Sequence, residues 1–583
     1  MKIVGHRIAL LLFLCLSVFP LRTPAQVPAK SAAAIPPASA EAPAFTGSAA
    51  CAKCHAKIFE SYASTAMARA SGPATQNFSS GEFQHATSGV HYRVYLEDGD
   101  AWLSFDRDGK NELHGKRKLL YFIGSGHRGK TFLFAEDNFM FESPINFYSQ
   151  KAPNGVWDMA PAYQNAREMP LNLPAASSCL TCHTSNAQAP IAGTENKYDS
   201  PLFAHAGITC ERCHGAGAAH ARQMQSQSSG PAKKDVSIVN PDKLSPARRD
   251  AVCMQCHLEG NAAVEQPGRH LYQFQPGDDI SDFVRYFVLT GEDKESVRAV
   301  SQFEALAQSK CKRVTGDAMT CTTCHDPHSA PQPTEKIAFY RGKCLACHGG
   351  PFGAKHHVEQ PDCAQCHMPR VTTLDVAHTQ ASDHRILRVP VMPLQSVGSP
   401  YDPGNVPPAD PKLMRFPAGQ AEDSPRDVAL AWVVLAGNGS KFASAQAEKF
   451  LPEALAKSPE DPAILAAQAY HEQRNGQLDK AREHYEHALR IDPLSIDAAS
   501  NFAVIEANAG HLDRAIALWK SAFEHAPARS GVGLNLARAL CLSGHGERSP
   551  AVVSRALEFN PDLAAGRSML KQLQSGAAKC VAH

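Results

Sequence analysis

Fourteen of the 18 cysteines stand in seven C-x-x-C pairs, and a histidine follows each pair directly. The sets are Cys51/Cys54/His55, Cys179/Cys182/His183, Cys210/Cys213/His214, Cys253/Cys256/His257, Cys321/Cys324/His325, Cys344/Cys347/His348 and Cys363/Cys366/His367. No C-x-x-C pair lacks its His, and with 27 histidines in 583 residues chance would produce this on the order of once in a billion. Two thiols followed by an imidazole form the attachment signature of c-type haem: the thiols become thioethers to the porphyrin and the His binds iron on one face. Zinc also uses C-x-x-C pairs but does not require His after every second Cys. The sequence therefore predicts seven covalent c-type haems, with the seven histidines as proximal ligands.

The sixth ligand decides what each iron can do. An iron with two strong protein ligands passes electrons, whereas an open face can bind a small molecule. Away from the proximal positions, the candidates are His85, His91, His114, His127, His205, His220, His270, His328, His356, His357, His378 and His384. Position beside a motif or in a glycine-flanked loop favours His127, His205, His220, His328, His357 and His384.

The run CAKCHAKIFESYASTAMAR from Cys51 to Arg69 resembles the first haem helix of cytochromes related to the tetrahaem electron acceptor of hydroxylamine oxidoreductase. That family has His where this chain has Met67, which makes Met67 a further distal candidate. The strings CERCHGAGAAH at Cys210, CTTCHDPHS at Cys321 and CAQCHMPR at Cys363 resemble the superfamily of cytochrome c nitrite reductase and hydroxylamine oxidoreductase. The resemblance implies haems in closely spaced pairs and electron transfer along them. Nitrite reductases of that group carry Lys in place of the catalytic His, and no C-x-x-C-K occurs here.

The motifs need elements to position them, and the intervals between them show where those lie. The first motif stands 128 residues before the second, against 31, 43, 68, 23 and 19 for the others. Within that gap, aromatic and β-branched runs broken at Glu97-Asp98-Gly99-Asp100 and Asp106-Arg107-Asp108-Gly109 predict a small antiparallel β insert over about 85–150. Short helices and loops are expected around the remaining motifs. Residues 389–427 are proline-rich and read as a linker between a haem region over 46–388 and a repeat region over 428–583. There Pro459, Pro493, Pro527 and Pro561 recur at 34, as do Ala454, Ala488, Ala522 and Ala556, and Leu451, Tyr485, Trp519 and Val553. This resembles the tetratricopeptide repeat, in which small residues let paired helices approach and Pro closes each unit. The expected fold is mainly α: a multihaem cytochrome region with a β insert, then an α-solenoid.

Lys2 and Arg7, an apolar run and Thr23-Pro24-Ala25 make residues 1–25 read as a secretory signal, followed by an Ala/Pro-rich tether over 26–45. Export suits haem attachment and places the protein in a bacterial periplasm. Lys plus Arg is 58 and Asp plus Glu 57, so no nucleic-acid partner is indicated. No stretch after the leader is long and apolar enough for a membrane helix. Cys311, Cys541 and Cys580 are left over, and their odd number leaves at least one without an intrachain partner. The leading expectation is an electron carrier with redox donor and acceptor proteins and a protein partner on the repeats. The alternatives are an oxidoreductase with one open-faced haem acting on a small nitrogen or sulfur compound, and an extracytoplasmic scaffold.

Overall fold

The computed structural model describes residues 44–109, 111–149, 155–226, 237–289, 298–350, 361–373, 376, 378–388, 411–417 and 423–575. The expected leader, nearly all of the tether, most of the proline-rich segment, His356, His357 and Cys580 lie outside these residues.

The gap between the first two motifs folds as one antiparallel sheet of nine strands. Seven run in hydrogen-bonded order: Gly81–Gln84, His91–Glu97, Asp100–Arg107, Leu113–Ile123, Gly129–Glu136, Ile145–Tyr148 and Val156–Met159. Ser71–Pro73 joins Leu113–Ile123, and Phe139–Glu142 joins Gly129–Glu136. Two tight turns fix the register. Asp98 and Gly99, and Asp137 and Asn138, all have φ between 53° and 83°, the paired left-handed conformation that matches strand twist in a two-residue hairpin. Alternation then sorts the faces: Tyr92, Val94, Leu103 and Phe105 are buried against Phe132, Phe134, Phe139 and Phe141.

The sheet is larger than the expected insert over 85–150, running from Ser71 to Met159. Its outer strands are short and carry Gly, Pro and polar residues, so they lack an alternating pattern of their own and are held only by pairing. The expectation of a mainly α chain is corrected to that extent. Helices make the repeats and carry most of the motifs, but 71–159 is β.

Around the later motifs the elements are short. The third motif sits on Glu211–His214, the seventh on Cys363–His367 and the fifth on a single 3-10 turn, Cys321–Thr323. A small sheet joins Ala262–Glu265, Val284–Leu289 and Leu413–Phe416. Its last strand comes from inside the segment read as a linker, so the chain folds back on the haem region before the repeats begin.

The 34-residue series becomes helix pairs: Pro425–Gly437 with Lys441–Lys457, Pro462–Arg474 with Leu478–Ile491, Ile496–Asn508 with Leu512–His525, and Ser530–Leu542 with Ser549–Phe559, closed by Ala564–Gln574. Ala454, Ala488, Ala522 and Ala556 are buried where helices cross, and Leu451, Tyr485, Trp519 and Val553 fill the space beside them. Ser549, standing where the period expects Ala, is buried and donates its hydroxyl to the Ala537 carbonyl at 2.8 Å. Gly476, Gly510 and Gly544 turn the chain at φ of 74°, 84° and 87°. Cys541 is disulfide-bonded and Cys311 is free.

The repeats lie along the rest of the molecule by the edge that holds their closing loops. Helix Pro425–Gly437 packs on Ala262, Val264 and Phe287, with Arg426 donating to the Glu265 carbonyl at 3.1 Å. Gly193 sits against Leu494 and His525, and Arg529 reaches Glu195 at 3.8 Å. At the far end Asp562, nearly fully buried, accepts a forked pair of bonds from Arg107 at 2.6 and 2.8 Å, one from the Met169 N–H at 2.8 Å, and pairs with Arg567 at 2.9 Å. Phe559 adds an edge-on contact with Phe139 and Phe141.

Replacing Asp562 with Ala leaves two guanidiniums beside a buried gap and costs on the order of 3 kcal/mol. Hydrogen exchange should speed up together in Phe139–Glu142 and Ser549–Phe559, and unchanged exchange in both would show that this contact does not hold the two together. A second test concerns Asp492, whose carboxyl burial pushes up to about 6 from 3.8, with the Leu494 N–H opposing. Between pH 4 and 6 the folded chain then holds a proton that the unfolded chain has released, so stability from this group falls as pH rises through that window and is flat above it. Asp492→Asn keeps the acceptor for Leu494 N–H at 3.2 Å and removes the penalty. It should add about 2 kcal/mol at pH 7, with the gain over the parent protein shrinking toward zero by pH 4 in denaturant titrations.

Candidate functional site

A single turn of helix explains the motif. In the first, third and fifth motifs the His N–H donates to the carbonyl of the first Cys, at 2.9, 3.0 and 3.0 Å, an i to i+4 bond. Residues i, i+3 and i+4 share one side of a helix, so both thiols and the imidazole point the same way. All fourteen motif cysteines are free thiols, as thioether formation requires.

The protein does not enclose these thiols equally. Burial pushes the Cys213 thiol up to about 12, whereas Cys54 and Cys347 are exposed. Each of these two is the second thiol of its pair, and the elements around them bury little. Helix Ser48–Ala52 ends before Cys54, which is held by its N–H donating to the Cys51 carbonyl at 3.1 Å. Helices Lys336–His348 and Cys363–His367, which carry Cys347 and Cys366, bury none of their side chains.

Three pairs of imidazoles face each other across the motifs. His55 and His220 have ring centres 6.4 Å apart, His214 and His328 5.9 Å, and His325 and His384 6.2 Å, with planes within 29° of parallel. A metal–nitrogen bond of about 2.0 Å and roughly 1.1 Å from nitrogen to ring centre place two imidazoles on one metal about 6.2 Å apart. The observed spacings match that value and are too wide for ring contact.

The tautomers agree. His214 Nδ1 donates to the Val239 carbonyl at 2.8 Å, His367 Nδ1 to Leu387 at 2.6 Å and His384 Nδ1 to Ser382 at 2.9 Å. A carbonyl can only accept, so Nδ1 carries the proton and Nε2 keeps the lone pair that binds a metal. Burial, as the largest influence on each, holds His183, His214, His257, His325 and His384 below the ordinary imidazole value. These rings are neutral at pH 7, the form a metal ligand needs. Free thiols, paired rings and Nε2 lone pairs together fit covalently held haem.

The other expected ligands stand elsewhere. His205 packs its ring over Gly47, just ahead of the first motif. His127 is exposed at the surface, and its pKa is held low by desolvation and then by Arg128, Lys336 and Arg370, which places it toward the sixth and seventh motifs. Met67 gives its carbonyl to the Ile208 N–H at 3.0 Å beside the third motif, while the ring opposite His55 is His220. His357 lies outside the described residues. Several histidines set aside from the sequence are engaged away from the motifs: His85 with Ser88 at 2.8 Å, His270 with Glu265 at 2.7 Å and His378 with Asp158 at 2.5 Å.

The motifs also touch one another, in an order that differs from the chain's. The Cys51 thiol is raised to about 11 by burial and then by Cys210, joining motif one to three. Arg212 of motif three donates to the Thr181 carbonyl of motif two at 3.4 Å, and Gln255 of motif four donates to the Arg212 carbonyl at 3.3 Å. Cys182 reaches the Gln255 carbonyl at 3.6 Å. Cys321 of motif five hydrogen-bonds Cys253 of motif four. Tyr340, on the helix of motif six, meets His325 of motif five at 3.4 Å, and Cys344 of motif six neighbours Cys363 of motif seven. Contacts therefore run one, three, four, five, six, seven, with two joining at three and four. The spacer residues Arg212 and Gln255 that make several of these contacts, and Glu211, which accepts from the Gly47 N–H ahead of the first motif at 2.8 Å, were missed in the sequence reading. Their signal is a charged or amide side chain inside a C-x-x-C pair, and Glu211 and Gln255 are buried.

Comparison with known proteins agrees with this chemistry. Residues 149–215, spanning the second and third motifs, match the family described as cytochrome c554 and c-prime. Over 194 residues the chain is 24% identical to the multiheme cytochrome MtrA of Shewanella baltica (strain OS185), covering 31% of this chain and 54% of that protein. The chain thus spans about half the length of the curated relative it matches. Among solved structures, the outer cell wall cytochrome OcwA aligns over 78% of this chain and 99% of its own at 15% identity and a TM-score of 0.35. MamA aligns over 24% of this chain and 80% of its own at 13% identity and a TM-score of 0.22. The family and curated matches agree with covalently bound c-type haem. No helix among the described residues is long and apolar enough to cross a membrane.

Proposed function

We propose that the chain is an exported heptahaem c-type cytochrome that carries electrons between redox proteins, with the repeats offering a surface to a protein partner. The observation that carries this reading is the unbroken run of contacts between motifs. Each haem, once bound, would supply an iron that changes oxidation state by one electron. The protein's part is to hold the seven attachment points in fixed register. The cysteines of each pair would form the thioethers, with Cys54, Cys347 and Cys366 included on their motif spacing. The adjacent His would be the proximal ligand, and His220, His328 and His384 would be distal ligands for the motifs of His55, His214 and His325.

Carbonyl partners at Nδ1 of His214, His367 and His384 keep those three rings from rotating and leave their Nε2 to the metal. Ligation by two imidazoles favours electron transfer over binding of small molecules, because neither face is open. The repeats' closing-loop edge is occupied by the sheet and by the segment around Gly193, so a partner would meet their other surfaces. Periplasmic location, the count of seven and the domain limits 46–388 and 428–583 are part of this proposal.

Low-temperature EPR of the ferric protein tests the reading, with the number of covalent haems taken from intact mass. Seven attached haems and wholly low-spin spectra unmoved by nitrite or hydroxylamine are expected. A high-spin signal that shifts with either compound would replace the carrier by an enzyme. His220→Ala, His328→Ala and His384→Ala should each convert one centre to high spin with the haem count unchanged. A spectrum identical to that of the parent protein for any of the three would remove that residue from the ligand set.

A further inference from the structure

The third motif reads Cys210-Glu211-Arg212-Cys213-His214, and its first spacer residue is an acid only 3% exposed. Glu211 Oε1 accepts from the backbone N–H groups of Thr46 and Gly217, and Oε2 from that of Gly47, each at 2.8 Å. Thr46 Oγ1 adds a longer contact at 3.4 Å. Thr46 and Gly47 lead into helix Ser48–Ala52, which carries Cys51. Beside this contact Ser48 Oγ accepts from the Cys210 N–H at 3.1 Å and lies 3.3 Å from its sulfur. Gly217 leads into helix Ala218–Ser226, which carries His220, the ring opposite His55.

One carboxylate thus ties its own motif to two further segments of chain: the entry to the first motif, and the turn at Gly217 that leads into the helix presenting His220. Helices Ser48–Ala52 and Glu211–His214 have five and four residues, too short to fix their own orientation by packing. Charge-assisted bonds from backbone N–H to carboxylate are shorter and about twice as strong as neutral ones, and three converge here.

We infer that Glu211 is a positioning residue that sets how the first and third attachment motifs meet and holds His220 opposite His55. The inference rests on the haem reading above. It concerns the environment of two centres and leaves the other five alone. From the other side of the same junction, Gly47 has φ +75°, and a Cβ there would lie 2.8 Å from His205 Cε1, so Gly47→Ala must displace either the ring or the helix entry.

The test uses the full-length haem-loaded protein. Glu211→Gln keeps one oxygen to accept from Thr46 and Gly217 but turns an N–H₂ toward the Gly47 N–H, a mild change compatible with folding. Intact mass should show an unchanged haem number. EPR should show altered g-values for one or two of the low-spin centres, and spectroelectrochemical titration should move the reduction equilibrium of those centres by about threefold or more, with the remainder superimposable on the parent protein. Gly47→Ala should alter the same centres. Superimposable EPR and titration curves for both variants would overturn the proposal, as would a uniform shift of all centres, which would mark a general loss of stability. A parent protein without covalent haem would instead overturn the reading of function on which the inference is built.

Discussion

The proposed haem chemistry sets one geometric requirement on the fold: two imidazole nitrogens would have to arrive from opposite sides at a spacing of one metal atom, while two thiols on the same turn as one of them face the same way. A single helical turn meets the second half of this requirement unaided. The first half is a long-range problem, because His220 lies 165 residues from His55 along the chain, His328 114 from His214, and His384 59 from His325. Closing such distances costs chain entropy that a four- or five-residue helix cannot repay by its own packing.

The rest of the fold supplies what the motifs lack. The nine-stranded sheet brings a dense aromatic core to a region whose own helices bury few apolar side chains. Helix Lys336–His348 has no buried residue at all, so its placement comes from its ends and from the neighbouring motifs. Short polar ties do the remaining work: Glu211 to the first motif, Gln255 to the third, and Lys312 to Asp250 at 3.4 Å between the fourth and fifth. The repeats belong to this support as well. They are anchored at Arg426, at Leu494 with Arg529, and at Asp562, so the solenoid braces the sheet and the segment between the second and third motifs along its closing-loop edge.

This arrangement changes what the solenoid can be. A proline-rich linker suggests an arm that swings from a tether, but Leu413–Phe416 pairs into the small sheet and helix Pro425–Gly437 packs directly on it. The first repeat helix is thus seated on the small sheet beside the haem region.

Much of the protein was legible from residue order because its strongest signals are local. The seven motifs, the turn at Asp98-Gly99, and the 34-residue series with its buried alanines all act over fewer than five residues or repeat at a fixed step, and the helix pairs and hairpins appear at those positions. The outer strands from Ser71 and to Met159 were not legible, since pairing with distant strands holds them in place of any pattern of their own. Nor was it legible which histidine faces which, why His270 and His378 are taken by carboxylates, why Cys54 and Cys347 stand exposed while Cys213 is enclosed, or that a glutamate in a spacer fastens two motifs. Residue types and spacing determined the attachment chemistry and the repeat unit, because a helical turn converts spacing directly into a shared face. Only tertiary structure decided which imidazoles face each other, the order in which motifs touch and the anchoring of the repeats, because those depend on contacts between residues tens to hundreds of positions apart.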